Sequence, residues 1–187
     1  GSVDQTVAIA RKYTDKIFHF KWVNDFSAAR NYSLNCASYD WILVLDCDEY
    51  ITDIDIKTFS RMMSQYPNCV GMINRRNHYE MNGTDSIYTD QVERFFNRKL
   101  YHYEAIIHEH VRALNGQPFM RVELSITAEH CGYTGTAEQL AQKAERNNEL
   151  LFKMLEENPD DPYLYFLIGQ SYNMLHDDNK ACYYYGK

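Results

Sequence analysis

The feature that most constrains this chain is an unbroken apolar run, Trp41–Leu45, which leads directly into an acidic segment, Asp46–Glu49. An apolar run without alternation is typical of a strand covered on both faces, as in a parallel sheet flanked by helices. A buried helix is the competing interpretation, but the β-branched residues and the flanking acids favour a strand. The acids then follow the carboxyl end of the strand, the edge where open α/β sheets bind ligands.

Carboxylates at such an edge need a counter-charge, because burying an isolated charge is costly. A hard divalent cation, Mg²⁺ or Mn²⁺, held jointly by one or two carboxylates and the phosphates of a substrate, satisfies this requirement. The competing interpretation is a solvated acidic turn that caps the next helix. The Asp46-Cys47-Asp48 pattern does not by itself separate the two.

Length and charge narrow the classes of function. A chain of 187 residues forms one domain, or one domain with a further segment. Its net charge of −7 argues against a nucleic acid or an anionic membrane held by charge alone. Its 5 cysteines are scattered without a C-x-x-C pair, which indicates reduced thiols in a cytoplasm. No apolar stretch reaches transmembrane length, so we expect no transmembrane segment.

The order of predicted elements indicates an α/β fold. Helix, strand, helix and strand alternate over residues 1–50, with a short strand at Ile17–Phe20, and this alternation predicts a parallel sheet. Later strands alternate apolar and polar residues, as in Val122–Thr127, so the second half of the sheet is expected to be mixed or antiparallel. Residues 77–90 are polar around an Asn82-Gly83 turn signal.

The carboxyl-terminal part is predicted to be helical. Thr136 with Gln139 fits a capping box, and Asp161-Pro162 fits the start of a second helix. A further helix is expected to begin near Asn179. The sequence therefore predicts a sheet domain over residues 1–135 and a helical segment over residues 136–187.

Several short motifs occur in order along the chain. They are Gly1–Thr6, Asp25–Asn31, Asp40–Glu49, then Arg94–Phe96, Ile107–Glu109 and His130–Tyr133, and finally Asp161–Tyr172. The first three motifs resemble those of family 2 glycosyltransferases of the GT-A fold. The next three are similar to those of the subgroup that carries tetratricopeptide (TPR) helices after the catalytic domain, and the last motif looks like the start of one repeat.

The resemblance implies a GT-A mixed sheet that is incomplete at its amino end, because family members place further strands before the Gly-Ser-x-Asp motif. It likewise implies a helical region that continues beyond residue 187. The implied reaction transfers a sugar from a nucleotide diphosphate, with a UDP-sugar as the expected donor, and inverts the anomeric centre.

The resemblance also implies a metal site. Asp48 is expected to be the direct ligand of Mn²⁺ or Mg²⁺, and Asp46 is expected to bind the donor ribose or the metal through water. His130 resembles the family histidine that closes this site from a distant strand. Its alternative interpretation is a partly buried histidine at a strand end.

Two further roles follow from the family positions. Glu109 is expected to be the general base, with Glu104 as the alternative, unless Glu109 is a surface salt-bridge acid. Arg30 is expected to bind the donor, unless it pairs with an acid on the helix surface. His108 and His110 bracket Glu109, but no third ligand at useful spacing supports a zinc site.

Partners remain open at the level of sequence. The TPR-like helices suggest a protein or peptide acceptor, with a glycan as the other option, or a homo-oligomer formed through the terminal helices. The competing functions are a non-catalytic interaction module built on a truncated transferase fold and, ranked lower, a nucleotidyltransferase. Most tyrosines of the terminal helices are expected to stack between helices.

Overall fold

A computed structural model describes residues 2–81, 83–133 and 136–187. The chain divides into two units, one formed by Gly1–Ile42 with Phe96–Pro118 and the other by Leu43–Phe95 with Phe119–Lys187. The helices are α1 (Thr6–Ala10), α2 (Phe26–Cys36), α3 (Lys57–Gln65), α4 (Ala137–Glu157), α5 (Pro162–Met174) and α6 (Asp178–Tyr185). The strands are β1 (Trp41–Leu43), β2 (Glu49–Ile54), β3 (Cys69–Met81), β4 (Thr84–Asn97), β5 (Tyr101–Glu104), β6 (His110–Ala113) and β7 (Met120–Tyr133).

The first unit is built around α2 and the antiparallel β5–β6 hairpin. Helix α2 begins after Asp25, whose carboxylate caps it by accepting from the backbone N–H of Ala28. Phe96 lies at the centre of a buried apolar group and meets the rings of Tyr101 and Tyr103 edge-on.

The second unit contains most of a five-stranded mixed sheet with the order β1-β4-β3-β7-β2. Strands β3 and β4 form a long antiparallel hairpin, β3 and β7 run parallel, and β2 runs antiparallel to β7. Helix α3 packs against this sheet through Met62, and a Cβ at Gly71 would collide with Met62 and Leu124, so the two layers approach closely at that glycine. The predicted mixed α/β sheet is therefore confirmed.

Two strand predictions were wrong in detail. The apolar run forms only the short, half-buried β1, which stands at one end of the strand order rather than inside the sheet. Ile17–Phe20 has no regular secondary structure. The polar residues 77–90, for which only a turn was predicted, form the outer part of the β3–β4 hairpin, although Asn82 of the predicted turn lies outside the described residues. An apolar run does not specify its neighbours, and cross-strand polar pairs can sustain a hairpin without an apolar pattern.

The helix starts were predicted more accurately. Thr136 and Gln139 form the expected capping box at α4. Asp161 caps α5 with Pro162 in its first turn, and α6 begins at Asp178, close to the expected Asn179. These signals act over three or four residues, so tertiary structure does not need to supply them.

The terminal helices pack on one another through aromatic side chains. Tyr184 of α6 stacks on Tyr172 and Tyr165 of α5, which confirms stacking between helices for these tyrosines. A Cβ at Gly169 would collide with the ring of Tyr185, so this glycine permits the close approach of α5 and α6. The boundary between residues 135 and 136 stays a prediction. None of the helices in the described ranges is long and apolar enough to span a membrane.

Candidate functional site

The acidic segment after β1 folds into a tight turn. The backbone N–H of Glu49 donates to the Asp46 carbonyl at 3.0 Å, and the Asp46 N–H donates to Oε2 of Glu49 at 3.0 Å. The Glu49 side chain is 0% exposed, whereas 34% of Asp46 and 45% of Asp48 remain exposed. The turn therefore has a buried acid as its anchor and presents its two aspartates toward solvent.

Arg94 of β4 neutralises this turn. Its Nη2 donates to Oε1 of Glu49 at 2.6 Å and to Oδ2 of Asp46 at 2.9 Å, and the arginine side chain is itself buried. Arg75 of β3 adds a longer contact to Glu49, 3.5 Å from Nη1 to Oε1. The counter-charge predicted for the acids is thus supplied in part by the protein, because the buried Glu49 carboxylate requires a cation nearby.

Asp48 lies beside His130. Residues 49 and 130 are direct partners in the β2–β7 ladder, and the Cys131 N–H donates to the Asp48 carbonyl at 3.0 Å. These contacts place Oδ2 of Asp48 at 3.4 Å from Nε2 of His130. A Cβ at Gly132 would collide with both atoms, so the absence of a side chain at Gly132 keeps this spot open.

His130 continues into a polar network on β3 and β4. Its Nδ1 lies 2.7 Å from Oδ1 of Asn77, and the Asn77 Nδ2 donates to Oδ1 of Asp90 at 3.0 Å. Asp90 also accepts two hydrogen bonds from Arg75, at 3.0 and 2.6 Å. Burial raises the pKa of Asp90, but the hydrogen bonds and charge of Arg75, with the Asn77 amide, outweigh burial and hold the pKa below its ordinary value.

Asp48 and His130 offer two potential ligands to a divalent cation. One carboxylate oxygen and one imidazole nitrogen lie side by side at Asp48 and His130, and both are ligand types that Mn²⁺ accepts. Asp46, by contrast, is occupied by Arg94. Within residues 2–81, 83–133 and 136–187 no group of three or more His, Cys, Asp or Glu side chains forms a potential metal site. The pair therefore fits a cation whose remaining ligands come from substrate phosphates and water.

Arg30 and Glu109 meet in the first unit. Nε of Arg30, on α2, donates to Oε1 of Glu109, in the loop between β5 and β6, and both side chains are largely buried, at 19% and 13% exposed. The arginine also lies over the Tyr103 ring, 5.2 Å from its centroid. Two residues expected to have separate roles thus form one ion pair.

Helix α2 positions this pair. The Asn31 side chain donates to the Tyr103 carbonyl and accepts from the Tyr103 N–H, both at 2.8 Å, so it holds α2 against β5. The loop that carries Glu109 is strained, because Ala105 and His108 adopt φ of 77° and 52° without being glycine. Burial lowers the pKa of His108, and the charge of Glu109 offsets only part of that effect.

The alternative candidates are placed differently. Glu104 is half exposed and contacts His102 and Arg112. Nε2 of His110 accepts from Nε of Arg112 at 3.1 Å. Glu104 thus lacks the partly dry surroundings expected of a general base, whereas Glu109 has them.

The structure brings the predicted residues together in two groups, Asp46 and Asp48 with His130 in the second unit, and Arg30 with Glu109 in the first. The sequence motifs included Arg94 without a role, and they gave no indication of Arg75, Asn77 and Asp90. Only the strand register could have indicated Arg75, Asn77 and Asp90. Arg75 pairs with Asp90 across β3–β4, and Asn77 pairs with His130 across β3–β7.

Comparison with known proteins gives the class. The description "Glycosyl transferase family 2" belongs to a family whose sequence model matches residues 1–124. The chain belongs to this family, and its mixed α/β sheet followed by helices is consistent with the GT-A fold.

Two relatives match most or all of the chain. A TPR repeat-containing protein of Synechococcus elongatus is 32% identical over 176 residues, covering 90% of this chain and 43% of the relative. The SPbeta prophage-derived glycosyltransferase SunS of Bacillus subtilis is 28% identical over 193 residues, covering 100% of this chain and 44% of the relative. The chain thus spans less than half the length of these relatives.

Proposed function

We propose that this chain is part of an inverting glycosyltransferase that moves a sugar from a nucleotide diphosphate, with UDP-sugars as the first candidates, to an acceptor nucleophile with the help of Mn²⁺ or Mg²⁺. The observation that carries the proposal is the pairing of Asp48 Oδ2 with His130 Nε2 at 3.4 Å above Gly132. In a family 2 chain, this is a donor pair for a cation that binds a diphosphate. When bound, the cation would neutralise the charge that develops on the leaving diphosphate.

In the reaction, a lone pair of the acceptor attacks the anomeric carbon while the bond from that carbon to the diphosphate oxygen breaks. The acceptor proton passes to the Glu109 carboxylate, which therefore has to be ionised beforehand. The guanidinium of Arg30 orients the Glu109 carboxylate. We assign Asp48 and His130 to the metal, and Asp46 to the donor ribose or to a metal-bound water.

Arg30 has a second proposed role at the donor. A guanidinium attracts phosphate through several N–H groups at once. Its Nε already donates to Glu109, so we assign its charge both to the diphosphate and to the orientation of the base. This double assignment predicts that loss of Arg30 weakens donor binding and slows turnover together.

The test is calorimetric titration of UDP into the 187-residue chain with and without Mn²⁺, followed by hydrolysis of a panel of UDP-sugars. We expect binding that requires Mn²⁺ and falls at least 10-fold in Asp48→Asn, whereas Asp53→Asn, a control on exposed β2, leaves it unchanged. Metal-independent binding, or equal affinity in the two variants, would reject the metal-assisted function.

The second candidate is an interaction module, and the aromatic side chains at the chain's end favour it. Tyr163, Phe166 and Tyr185 are exposed and lie against one another on α5 and α6. Such a surface fits a peptide acceptor or a second copy of the chain. A peptide pull-down that fails in Phe166→Ala but ignores Mn²⁺ would favour this candidate, and sedimentation at increasing concentration would detect the second copy.

The remaining expectations stay predictions. They are a cytoplasmic location, a protein, peptide or glycan acceptor, and a helical segment that is separable at residue 136. Each of these expectations concerns a whole protein, whereas this chain spans less than half the length of its relatives.

A further inference from the structure

A problem of hydrogen-bond polarity lies between Asp48 and His130. The Asp48 carboxylate accepts hydrogen bonds, so a hydrogen bond between the two side chains requires a proton on Nε2 of His130, whereas a shared cation requires the lone pair of Nε2. Their separation of 3.4 Å exceeds the about 2.7–2.9 Å of a charge-assisted hydrogen bond. Which of the two ring nitrogens carries the proton therefore decides whether Nε2 can act as a ligand.

The contact of the other ring nitrogen, Nδ1, with Asn77 determines which nitrogen carries the proton. Asp90 is ionised, because Arg75 and Asn77 hold its pKa below the ordinary value, so it only accepts. The Asn77 atom that faces Asp90 at 3.0 Å is therefore the amide nitrogen. The Asn77 oxygen then faces Nδ1 of His130 at 2.7 Å, and Nδ1 must donate. In the neutral ring this leaves the lone pair on Nε2, toward Asp48.

We propose that Asn77 is a positioning residue that fixes the Nδ1–H tautomer of His130 and so presents the Nε2 lone pair beside Asp48 for a cation. Asn77 is fully buried, and His130 is its direct partner in the β3–β7 ladder. The amide has little freedom to turn, because Asp90 accepts from its nitrogen and Arg75 holds Asp90 in turn. Partners of this kind orient metal-binding histidines and raise their affinity.

The inference rests on the proposed function only for the identity of the cation. The tautomer is a property of the metal-free chain and can be measured without turnover. Long-range ¹H–¹⁵N spectra distinguish a protonated from an unprotonated ring nitrogen, and His130→Gln identifies the resonance among the 7 histidines. The spectra are recorded at a pH alkaline enough for the His130 ring to be neutral, which the same shifts report.

We expect the wild-type ring to be protonated at Nδ1. Asn77→Leu keeps the side-chain volume and removes the amide. It is expected to move the ring proton to Nε2, from which it can be donated in a hydrogen bond to Asp48. Asn74→Leu makes the same chemical change on the same strand away from His130 and is expected to leave the tautomer at Nδ1. A wild-type ring protonated at Nε2, or an unchanged tautomer in Asn77→Leu, would overturn the inference.

A second variant covers the case in which Asn77→Leu fails to fold, which circular dichroism reports. Asp90→Asn keeps the shape but can donate, so the Asn77 amide is free to turn. The expected result is a mixture of the two tautomers, whereas a pure Nδ1–H ring in this variant would contradict the role given to the Asp90–Asn77 pair.

Mn²⁺ binding is measured by paramagnetic broadening of the His130 resonances. It distinguishes the positioning role of Asn77 from the proposed metal-assisted function. Asn77→Leu is expected to weaken Mn²⁺ binding by about 10- to 100-fold, and unchanged affinity would overturn the positioning role. If the wild type has the Nδ1–H ring but Mn²⁺ leaves its resonances unaltered, the metal-assisted function fails, while the tautomer result still decides the role of Asn77.

Discussion

Arg94 donates to Glu49 at 2.6 Å from Nη2 to Oε1, and the Glu49 side chain has no exposed surface. Glu49 also accepts from the backbone of Asp46 through its other oxygen. The most buried acid of the Asp46–Glu49 turn therefore shapes it, while Asp46 and Asp48 keep part of their surface exposed. Asp46 is held by Arg94 through its side chain and by Glu49 through its backbone N–H.

This burial predicts a large loss of stability on breaking the pair. In Glu49→Ala, Arg94 keeps only the half-exposed Asp46 as a partner and becomes a poorly compensated buried charge. We expect the free energy of unfolding to fall by about 3–5 kcal/mol. Urea denaturation followed by circular dichroism measures the change.

Arg121 and Glu93 provide the matched control, since their N–O distance is also 2.6 Å but Arg121 is 55% exposed. Arg121→Ala is expected to change stability by only about 0–1 kcal/mol, because solvent screens exposed pairs. Equal losses in Glu49→Ala and Arg121→Ala would show that burial does not set the strength of the Arg94 pair.

Gly132→Ala is expected to abolish binding of Mn²⁺ with UDP while leaving the fold intact. The new Cβ would occupy the spot between Asp48 Oδ2 and His130 Nε2, and those side chains would have to move apart. Gly186→Ala, where the Cβ meets only backbone oxygens at 3.4 and 3.7 Å, is the control and should bind as the wild type does. Titration calorimetry measures the binding of Mn²⁺ with UDP by both variants. Normal binding by Gly132→Ala would show that the space above Gly132 is not part of the site that binds the donor.

Glu109→Gln is expected to lower kcat by about 10²–10⁴-fold with little change in affinity for the donor, because an amide cannot accept the acceptor's proton. Glu104→Gln is the comparison, since that carboxylate is half exposed and pairs with His102. Turnover is measured by release of UDP. A larger loss in Glu104→Gln would transfer the role of base to Glu104.

The pKa of His108 predicts a dependence of stability on pH. Burial lowers that pKa below the ordinary histidine value of about 6.5, so the unfolded chain binds the proton more readily than the folded chain. The stability contributed by the neutral ring is complete above pH ~6.5 and is lost as the pH falls through that value toward the lower folded pKa. His108→Asn, which tolerates the positive φ at this position, is expected to flatten this decline.

Thermal or urea unfolding at several pH values between about 5 and 8 tests this expectation. The wild type and His108→Asn should differ in slope below pH ~6.5, while above it their difference in stability should stay constant. A decline of equal slope in both proteins would exclude His108 as its cause.

The motifs led to the family and to the principal candidates, but two strands were assigned wrongly. Glu109 and His130 were chosen by motif position, and each lies against a partner that the sequence did not indicate. The apolar run at Trp41 was expected to lie inside the sheet, yet β1 ends the strand order, since hydrophobicity reports burial and not hydrogen-bonding neighbours.

Local chemistry could be derived from the sequence alone. The caps at Asp25, Thr136 and Asp161 join side chains to N–H groups two or three residues away, so nearby residues suffice to predict them. The polar network needed the tertiary structure. Asp48 and His130 are 82 positions apart, and Asn77 meets His130 only through a β3–β7 register that contains two irregularities. Because a shift of one residue turns every side chain to the opposite face of a strand, only the folded sheet decides which acids meet which bases.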